Sequence, residues 1–254
     1  MELHYLTSSF LYFSIGAILG SFLNVIILRI PKNISIVTPR SHCFSCNNPI
    51  PFYLNIPIIS YLMLKGKCHK CSSSISKQYI SVEIIMGALF CMLLNNLNLT
   101  QSILISIIFS SFIVIGAIDY RHLLIPKIML IILFSTLIIR PIIFQQTFIN
   151  MITGSLMLML YIGTLILFIG LIKKNFNMIG FGDILLLIFI GAWLGVINSF
   201  ICLFISSIIG IAMSRLPFTK YYSENKIPFG FCLSASFILI SLLVDCYKIK
   251  LLFF

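Results

Sequence analysis

Acidic side chains are scarce: Glu2, Glu83, Asp119, Asp183, Glu224 and Asp245 are the whole set in 254 residues, against seventeen Lys and Arg. Charged residues of either sign make up only 9% of the chain, and tryptophan occurs once. So little charge cannot cover the water-facing surface of a globule this size, which excludes a soluble domain. The chain is instead 60% hydrophobic, with a mean hydropathy of +1.12. Its apolar residues gather into runs long enough to cross about 30 Å of hydrocarbon. An all-α polytopic membrane protein is the class this composition implies. The net charge of +11 does not point to nucleic acid. The bases lie in short loops between apolar runs, where they hold those loops on the cytoplasmic side.

The hydropathy pattern predicts spans at about 6–28, 80–94, 101–118, 128–144, 148–171, 184–197, 198–213 and 229–246. The first run has no basic stretch before it and no small-residue cleavage site after it, so a retained span is expected rather than a removed signal peptide. Residues 184–213 are too long for one ordinary span, and Gly191, Gly195 and Asn198 mark the middle. Two short helices with a tight turn are expected there. Eight spans with both termini outside place fourteen of the seventeen bases on the cytoplasmic side, leaving Arg140, Lys248 and Lys250 outside. A seven-span arrangement would move Arg215, Lys220 and Lys226 to the opposite face and weaken that bias. The expected organisation is therefore a first transmembrane helix over 1–28, a cytoplasmic four-cysteine subdomain over 29–79, and seven further helices over 80–254.

The 29–79 segment is the one long connection. It holds four cysteines and no acid, and prolines stand at 31, 39, 49, 51 and 57. Cys43 and Cys46 form one Cys-x2-Cys pair and Cys68 and Cys71 another, with 21 residues between the pairs. Four thiolates in this spacing suit a closed tetrahedral site and point to structural Zn2+. Two disulfides or four unliganded thiols are the alternative, and a reducing compartment disfavours the first. Metal binding would supply folding energy to a loop with too few large apolar residues for a core. His42 and His69 adjoin the pairs without a necessary ligand role. Cys91, Cys202, Cys232 and Cys246 stand singly in apolar segments and read as small hydrophobes.

Two acids sit at predicted span ends on the cytoplasmic side. Asp119 closes the third span in Gly116-Ala-Ile-Asp-Tyr-Arg-His-Leu-Leu-Ile-Pro126, and Asp183 opens the sixth in Gly180-Phe-Gly-Asp-Ile. Either could be structural, Asp183 as a helix cap and Asp119 as a partner of Arg121. As a pair they can share a proton and activate water, which suits peptide hydrolysis. Ion coupling in a transporter, or a structural role in an assembly scaffold, is the competing reading. Glu83 is expected to pair with Lys77 or a loop base, or to line a polar pocket. Gly16, Gly20 and Asn24 recur every four residues and predict close packing on one helix face, with orientation of substrate or loop backbone by Asn24 as the alternative. Asp245 belongs with Lys248 at the other membrane edge, and Glu2 and Glu224 are expected in solvent.

These motifs, taken in order, resemble the bacterial prepilin peptidases, the type IV leader peptidase family of membrane aspartic proteases. The resemblance runs through Gly20-Ser-Phe-Leu-Asn-Val-Ile-Ile-Leu-Arg-Ile-Pro31, the two cysteine pairs, Asn55-Ile-Pro-Ile-Ile-Ser-Tyr61, Ile75-Ser-Lys-Gln-Tyr-Ile-Ser-Val-Glu83, the Asp119 segment, Gly180-Phe-Gly-Asp183 and Ile227-Pro-Phe-Gly230. It implies an aspartic endopeptidase, with Asp119 and Asp183 as the catalytic pair in the 80–254 region and no cofactor for proteolysis. The implied substrates are type IV prepilins or type II secretion pseudopilins, cut after glycine at the cytoplasmic face of the bacterial inner membrane. Relatives with the cysteine-rich loop imply a second step, N-methylation of the new amino terminus by S-adenosylmethionine, although no residue set here independently specifies a pocket for it. The chain departs from the family at Leu185, where lysine is frequent, and at Lys127, where an acid is usual.

Overall fold

The computed structural model describes residues 2–144, 147–174, 180–215 and 227–246. The expectations for Lys220, Glu224, Lys226, Lys248 and Lys250 lie outside the described residues, as do those for the side chains of Glu2, Lys173, Asp245 and Cys246. The helices in chain order are α1 (Glu2–Arg29), α2 (Ile59–Met63), α3 (Lys77–Asn96), α4 (Leu99–His122), α5 (Lys127–Phe144), α6 (Phe148–Lys173), α7 (Phe181–Ser214) and α8 (Phe229–Ser241). Short 3-10 turns cover Ile30–Lys32 and Phe52–Asn55.

Six helices among the described residues are long and apolar enough to cross a membrane, and α8 belongs to a shorter apolar stretch, Phe229–Val244. The chain is an all-α polytopic membrane protein with a cysteine-rich loop. Six long helices are fewer than the eight expected spans. The segments expected at 184–197 and 198–213 fall within the single helical run α7, and the last expected span lies in the shorter stretch.

Local chemistry sets several boundaries. The Ser76 hydroxyl caps α3 by accepting from the Gln78 N–H. α4 stops where Leu123 turns to φ +52, and Pro126 then starts α5 three residues on. Lys174 closes α6 in the left-handed region at φ +51. Gly195 interrupts α7 at φ +76, ψ −177, a conformation that in practice only glycine adopts.

That interruption reverses the chain. A straight helix of 34 residues would extend roughly 50 Å. Yet Met213 near the end of α7 has its sulfur 3.9 Å from the Cys232 thiol, and the charges of both Asp119 and Asp183 reach Cys232. The two ends of α7 therefore lie at the same end of the bundle. Contacts with α6 agree: Gly154 packs on Gly191, and the Tyr161 ring meets Phe200 at 5.2 Å. At the turn, Arg140 is buried, donates to the Ala192 carbonyl at 2.7 Å and stacks over Trp193 at 4.4 Å.

The chain divides into two compact units, residues 1–110 and 111–254. In the first, α1 and α3 pack along their lengths. A Cβ on Gly20 would stand 2.8 Å from the Glu83 Cα, so the small residues of α1 are there for backbone proximity. One turn on, buried Asn24 donates from its amide to the Tyr79 carbonyl at 3.0 Å. Glu83 does not take the expected basic partner. Its Oε2 accepts from the Ile58 N–H at 2.7 Å, and the Ser21 hydroxyl is its other partner. Ile58 adopts φ +62, ψ −52, the strained γ-turn conformation, and a branched side chain holds it only where surroundings impose it. Glu83 is that restraint. Glu83→Ala should leave the half-buried Ile58 N–H without its acceptor, at a cost of about 1 kcal/mol, and raise protease cleavage between Pro57 and Lys67; Glu83→Gln, which keeps an acceptor, should show less. Equal protease resistance in all three proteins would refute the role.

In the second unit an aromatic core joins α4, α7 and α8. Phe112 stacks on Phe237 at 4.0 Å and meets Phe189 at 5.7 Å, and all three are fully buried. Asp119 is two turns beyond Phe112 on α4, and Gly230 two turns before Phe237 on α8. Each therefore shares the inward face of its helix.

Candidate functional site

Asp119 is 5% exposed, at the end of the inward face of α4. Its Oδ2 accepts the Phe231 N–H at 2.9 Å, and the Gly230 N–H is a second donor. Both donors lie in the first turn of α8, where backbone N–H groups have no helical partner, so the carboxylate completes the helix it faces. Glycine at 230 leaves room for this approach, because a Cβ there would stand 3.0 Å from the Asp119 carboxyl carbon and from Oδ2 and would crowd them.

Asp183 lies in the first turn of α7. It takes the Gly180 backbone N–H, while its Oδ1 is buried with no hydrogen-bond partner. The charge of Asp119 acts on it directly. Two carboxyl groups 64 positions apart in sequence are thus close enough to repel. Ile125 lies between their supports. A Cβ on Gly182 would meet the Ile125 Cβ and Cδ1 at 3.0 Å, and one on Gly230 would meet Cδ1 at 3.3 Å. The loop after Asp119 is therefore wedged against the turn before Asp183 and the start of α8 together.

The arrangement offers an acidic pair in a largely apolar setting, one carboxylate held by two N–H donors and the other with an oxygen to spare. Such a pair can take a proton from a water and return one to a leaving group. Glu83 belongs to the other unit and is engaged with Ile58.

In the 29–79 loop the four expected cysteines converge, with all four sulfurs within 4.8 Å of one another. Cys43 and Cys71 are 3.8 Å apart, the separation of about 3.8 Å that two thiolates would have on one tetrahedral zinc. Each pair sits in the same backbone knuckle. The Cys43 N–H donates to the Asn48 carbonyl and the Asn47 N–H to the Cys43 carbonyl; the Cys68 N–H donates to Ser73 and the Ser72 N–H to Cys68 in the same way. Asn47 and Ser72 share the left-handed conformation, and the bridges His42 to Pro49 and Lys67 to Ser74 close the two turns. Residues 41–50 and 66–75 are therefore one motif used twice at an offset of 25 positions. The Cys46 and Ser45 N–H groups, then the Ser73 hydroxyl, push the Cys43 thiol down to about 5. The Ser73 hydroxyl and N–H lower Cys71. For Cys68, the Cys71 and Lys70 N–H groups pull downward but burial and the neighbouring thiols win, and its value rises. The cluster brings together four sulfur ligands able to hold a metal ion.

The family model for the bacterial peptidase A24 N-terminal domain matches residues 14–97, and that for the type IV leader peptidase family matches residues 106–214. The chain belongs to the type IV leader peptidase family. A prepilin leader peptidase/N-methyltransferase of Myxococcus xanthus is 38% identical over 115 residues, 45% of this chain and 34% of that protein. Its namesake in Bacillus subtilis is 36% identical over 120 residues, 47% of this chain and 48% of that protein. One from Vibrio cholerae is 43% identical over 82 residues, 29% of this chain and 32% of that protein. The matched stretches span a third to a half of these relatives. No solved structure matches the chain.

Within this family frame, one motif quoted above carried no assigned chemistry in the sequence, and two residues, Ile125 and Ser73, gave no signal at all. Ile227-Pro-Phe-Gly230 bears no acid or base, and its contribution is the backbone donors at 230 and 231. Ile125 looked like any branched residue in a loop. Ser73 stands beside two cluster sulfurs, 3.1 Å from Cys71 and 3.6 Å from Cys43. Of the two family-variant positions, Lys127 is exposed at the first residue of α5 and Leu185 is half-buried in α7.

Proposed function

We propose that this chain is a prepilin leader peptidase of the bacterial inner membrane, with Asp119 and Asp183 as its catalytic pair. The observation that carries the reading is the meeting of these two carboxyl groups, one pinned by the Phe231 N–H and the other with Oδ1 unengaged. In this mechanism the pair shares one proton. The ionised carboxylate takes a proton from water, the water attacks the scissile carbonyl, and the protonated partner gives its proton to the leaving amine as the tetrahedral intermediate collapses. The substrates are type IV prepilins or pseudopilins, whose apolar helix docks among the spans and leaves the glycine bond at the cytoplasmic edge. N-methylation by S-adenosylmethionine accompanies cleavage in this reading through the family, and the residues described above assign it no binding site.

The topology belongs to the same proposal. Counting the two arms of α7 on either side of Gly195 separately, and α8 as a span, returns eight crossings. Asp119, Asp183 and the cysteine loop then face the cytoplasm with most of the Lys and Arg. Cys43, Cys46, Cys68 and Cys71 hold structural Zn2+, which supplies folding energy to residues 29–79 and takes no part in hydrolysis.

The deciding experiment is cleavage by the full chain, reconstituted in lipid, of a panel of prepilins, with sequencing of the new amino terminus. Cleavage after glycine, with one methyl group added when S-adenosylmethionine is present, is the expected result. Proton-coupled flux without cleavage of any substrate would return the acidic pair to transport. A second check uses Gly230→Ala: the added methyl group would stand 3.0 Å from the Asp119 carboxyl, which must give by a few tenths of an ångström, and turnover should fall by about tenfold, less than the roughly hundredfold loss of a 1 Å misplacement. Turnover within threefold or so of the parent would show that the contact does not position Asp119.

A further inference from the structure

Residues 52–63 form two short helices, the 3-10 turn Phe52–Asn55 and α2, packed together through buried Ser60, whose hydroxyl donates to the Tyr53 carbonyl at 3.4 Å. Their outward side is apolar. Phe52 is 87% exposed, Met63 74%, Leu62 62%, Tyr53 57%, Ile59 55% and Ile56 47%. On α2 the usual arrangement of a soluble subdomain is inverted, with Ser60 inside and Ile59, Leu62 and Met63 outside. Six large apolar side chains exposed within twelve residues mark a surface that something covers.

Charge selects the occupant. The segment 29–79 contains no Asp or Glu and seven Lys or Arg. Lys65, Lys67 and Lys70 follow the apolar residues directly, and all three are exposed. A basic peptide, or a second copy of a chain with net charge +11, would be repelled. An anionic headgroup layer attracts each of these lysines, and the apolar side chains beside them fit the acyl boundary beneath it. The segment is also tethered at that depth, since membrane-spanning helices α1 and α3 end and begin on either side of it, at Arg29 and Lys77. Tyr53, with an apolar ring and a polar tip, is a residue type suited to the interface.

We propose that the outward face of residues 52–63 is an interfacial anchor that lies in the headgroup layer of an anionic bilayer and holds the cysteine loop down on the membrane. The test uses the full chain in vesicles of phosphatidylcholine alone and of phosphatidylcholine mixed with phosphatidylglycerol. Phe52→Trp adds a reporter, read as the difference from the parent, whose single Trp193 is buried. With phosphatidylglycerol present the added tryptophan should emit at shorter wavelength and lose most of its emission to lipids brominated near the headgroup. Lys65→Gln with Lys67→Gln should remove the phosphatidylglycerol dependence, and Leu62→Glu with Met63→Glu should restore water-like emission. Unchanged metal content of the cysteine cluster verifies that these variants remain folded. Water-like emission in both vesicles overturns the proposal, and so does equal quenching in both. Short-wavelength emission that brominated lipid cannot quench also overturns it, since a protein surface would then be the cover. None of these readouts depends on peptidase activity.

Discussion

Asp183→Asn protein is expected to insert normally and to cleave a prepilin at least about a thousandfold more slowly than the parent, and Asp119→Asn is expected to match it. Asparagine has nearly the shape of aspartate but can neither accept nor return the proton that hydrolysis moves. The hydrogen bonds explain why folding should survive. At 119 the amide carbonyl can still accept from the Phe231 N–H, and at 183 the buried Oδ1 has no bond to lose. The double variant should be no slower than either single one, because groups that act as one unit lose their function once. Initial rates on a purified prepilin, beside helicity and membrane extraction of each variant, decide the matter. If both correctly inserted single variants retained activity within about tenfold of the parent, the dyad would be the wrong chemistry. If only one did, the proton would be moving through a different partner.

Cys68→Ser should abolish stoichiometric metal binding and unfold the loop, with a smaller fall in cleavage than the aspartate variants cause. Cys68 is the buried member of the cluster, and its sulfur lies within 4.8 Å of the other three. Structural zinc contributes on the order of 10 kcal/mol or more in small cysteine domains. This loop has little to set against such a loss, since many of its large apolar residues, Phe52 and Met63 among them, face outward. The expected signs are an absent metal signal by elemental analysis and rapid tryptic cutting at Lys65, Lys67 and Lys70 in the membrane-bound protein. Unchanged stoichiometry with an intact loop would count against a four-thiolate site. A loss of cleavage as complete as that of Asp183→Asn would instead mean that the loop takes part in holding the substrate.

Proteolysis, metal and membrane contact can be separated because each rests on different residues. The carboxyl pair belongs to α4 and α7, the cluster to two knuckles, and the anchor to residues 52–63. A variant of one should leave the direct readouts of the other two unchanged, namely turnover, bound metal and lipid quenching.

Much of this organisation was legible before any coordinate. Hydrocarbon accepts only apolar, internally bonded helices, so the apolar runs reveal membrane segments with little ambiguity. Six acids in 254 residues made each one conspicuous, and two Cys-x2-Cys pairs have few uses besides a metal. Periodicity failed where the chemistry is backbone chemistry. Nothing in Ile227-Pro-Phe-Gly230 announces that its N–H groups are directed at Asp119. Glu83 looked like a partner for lysine, but a strained N–H at Ile58 claims it. The repeated knuckle is nearly silent in sequence, because hydrogen bonds and two left-handed residues define it more than side-chain identity does.

The amino-acid order alone therefore determined the solvent this protein lives in, its acid and thiol inventory, and its family, since those depend on composition and spacing. Tertiary structure decided that α7 turns back at Gly195, that Asp119 and Asp183 share one end of a bundle, and that Ile125 holds their supports together. Those outcomes depend on which faces of distant helices meet, and spacing along a chain does not encode distance across a fold.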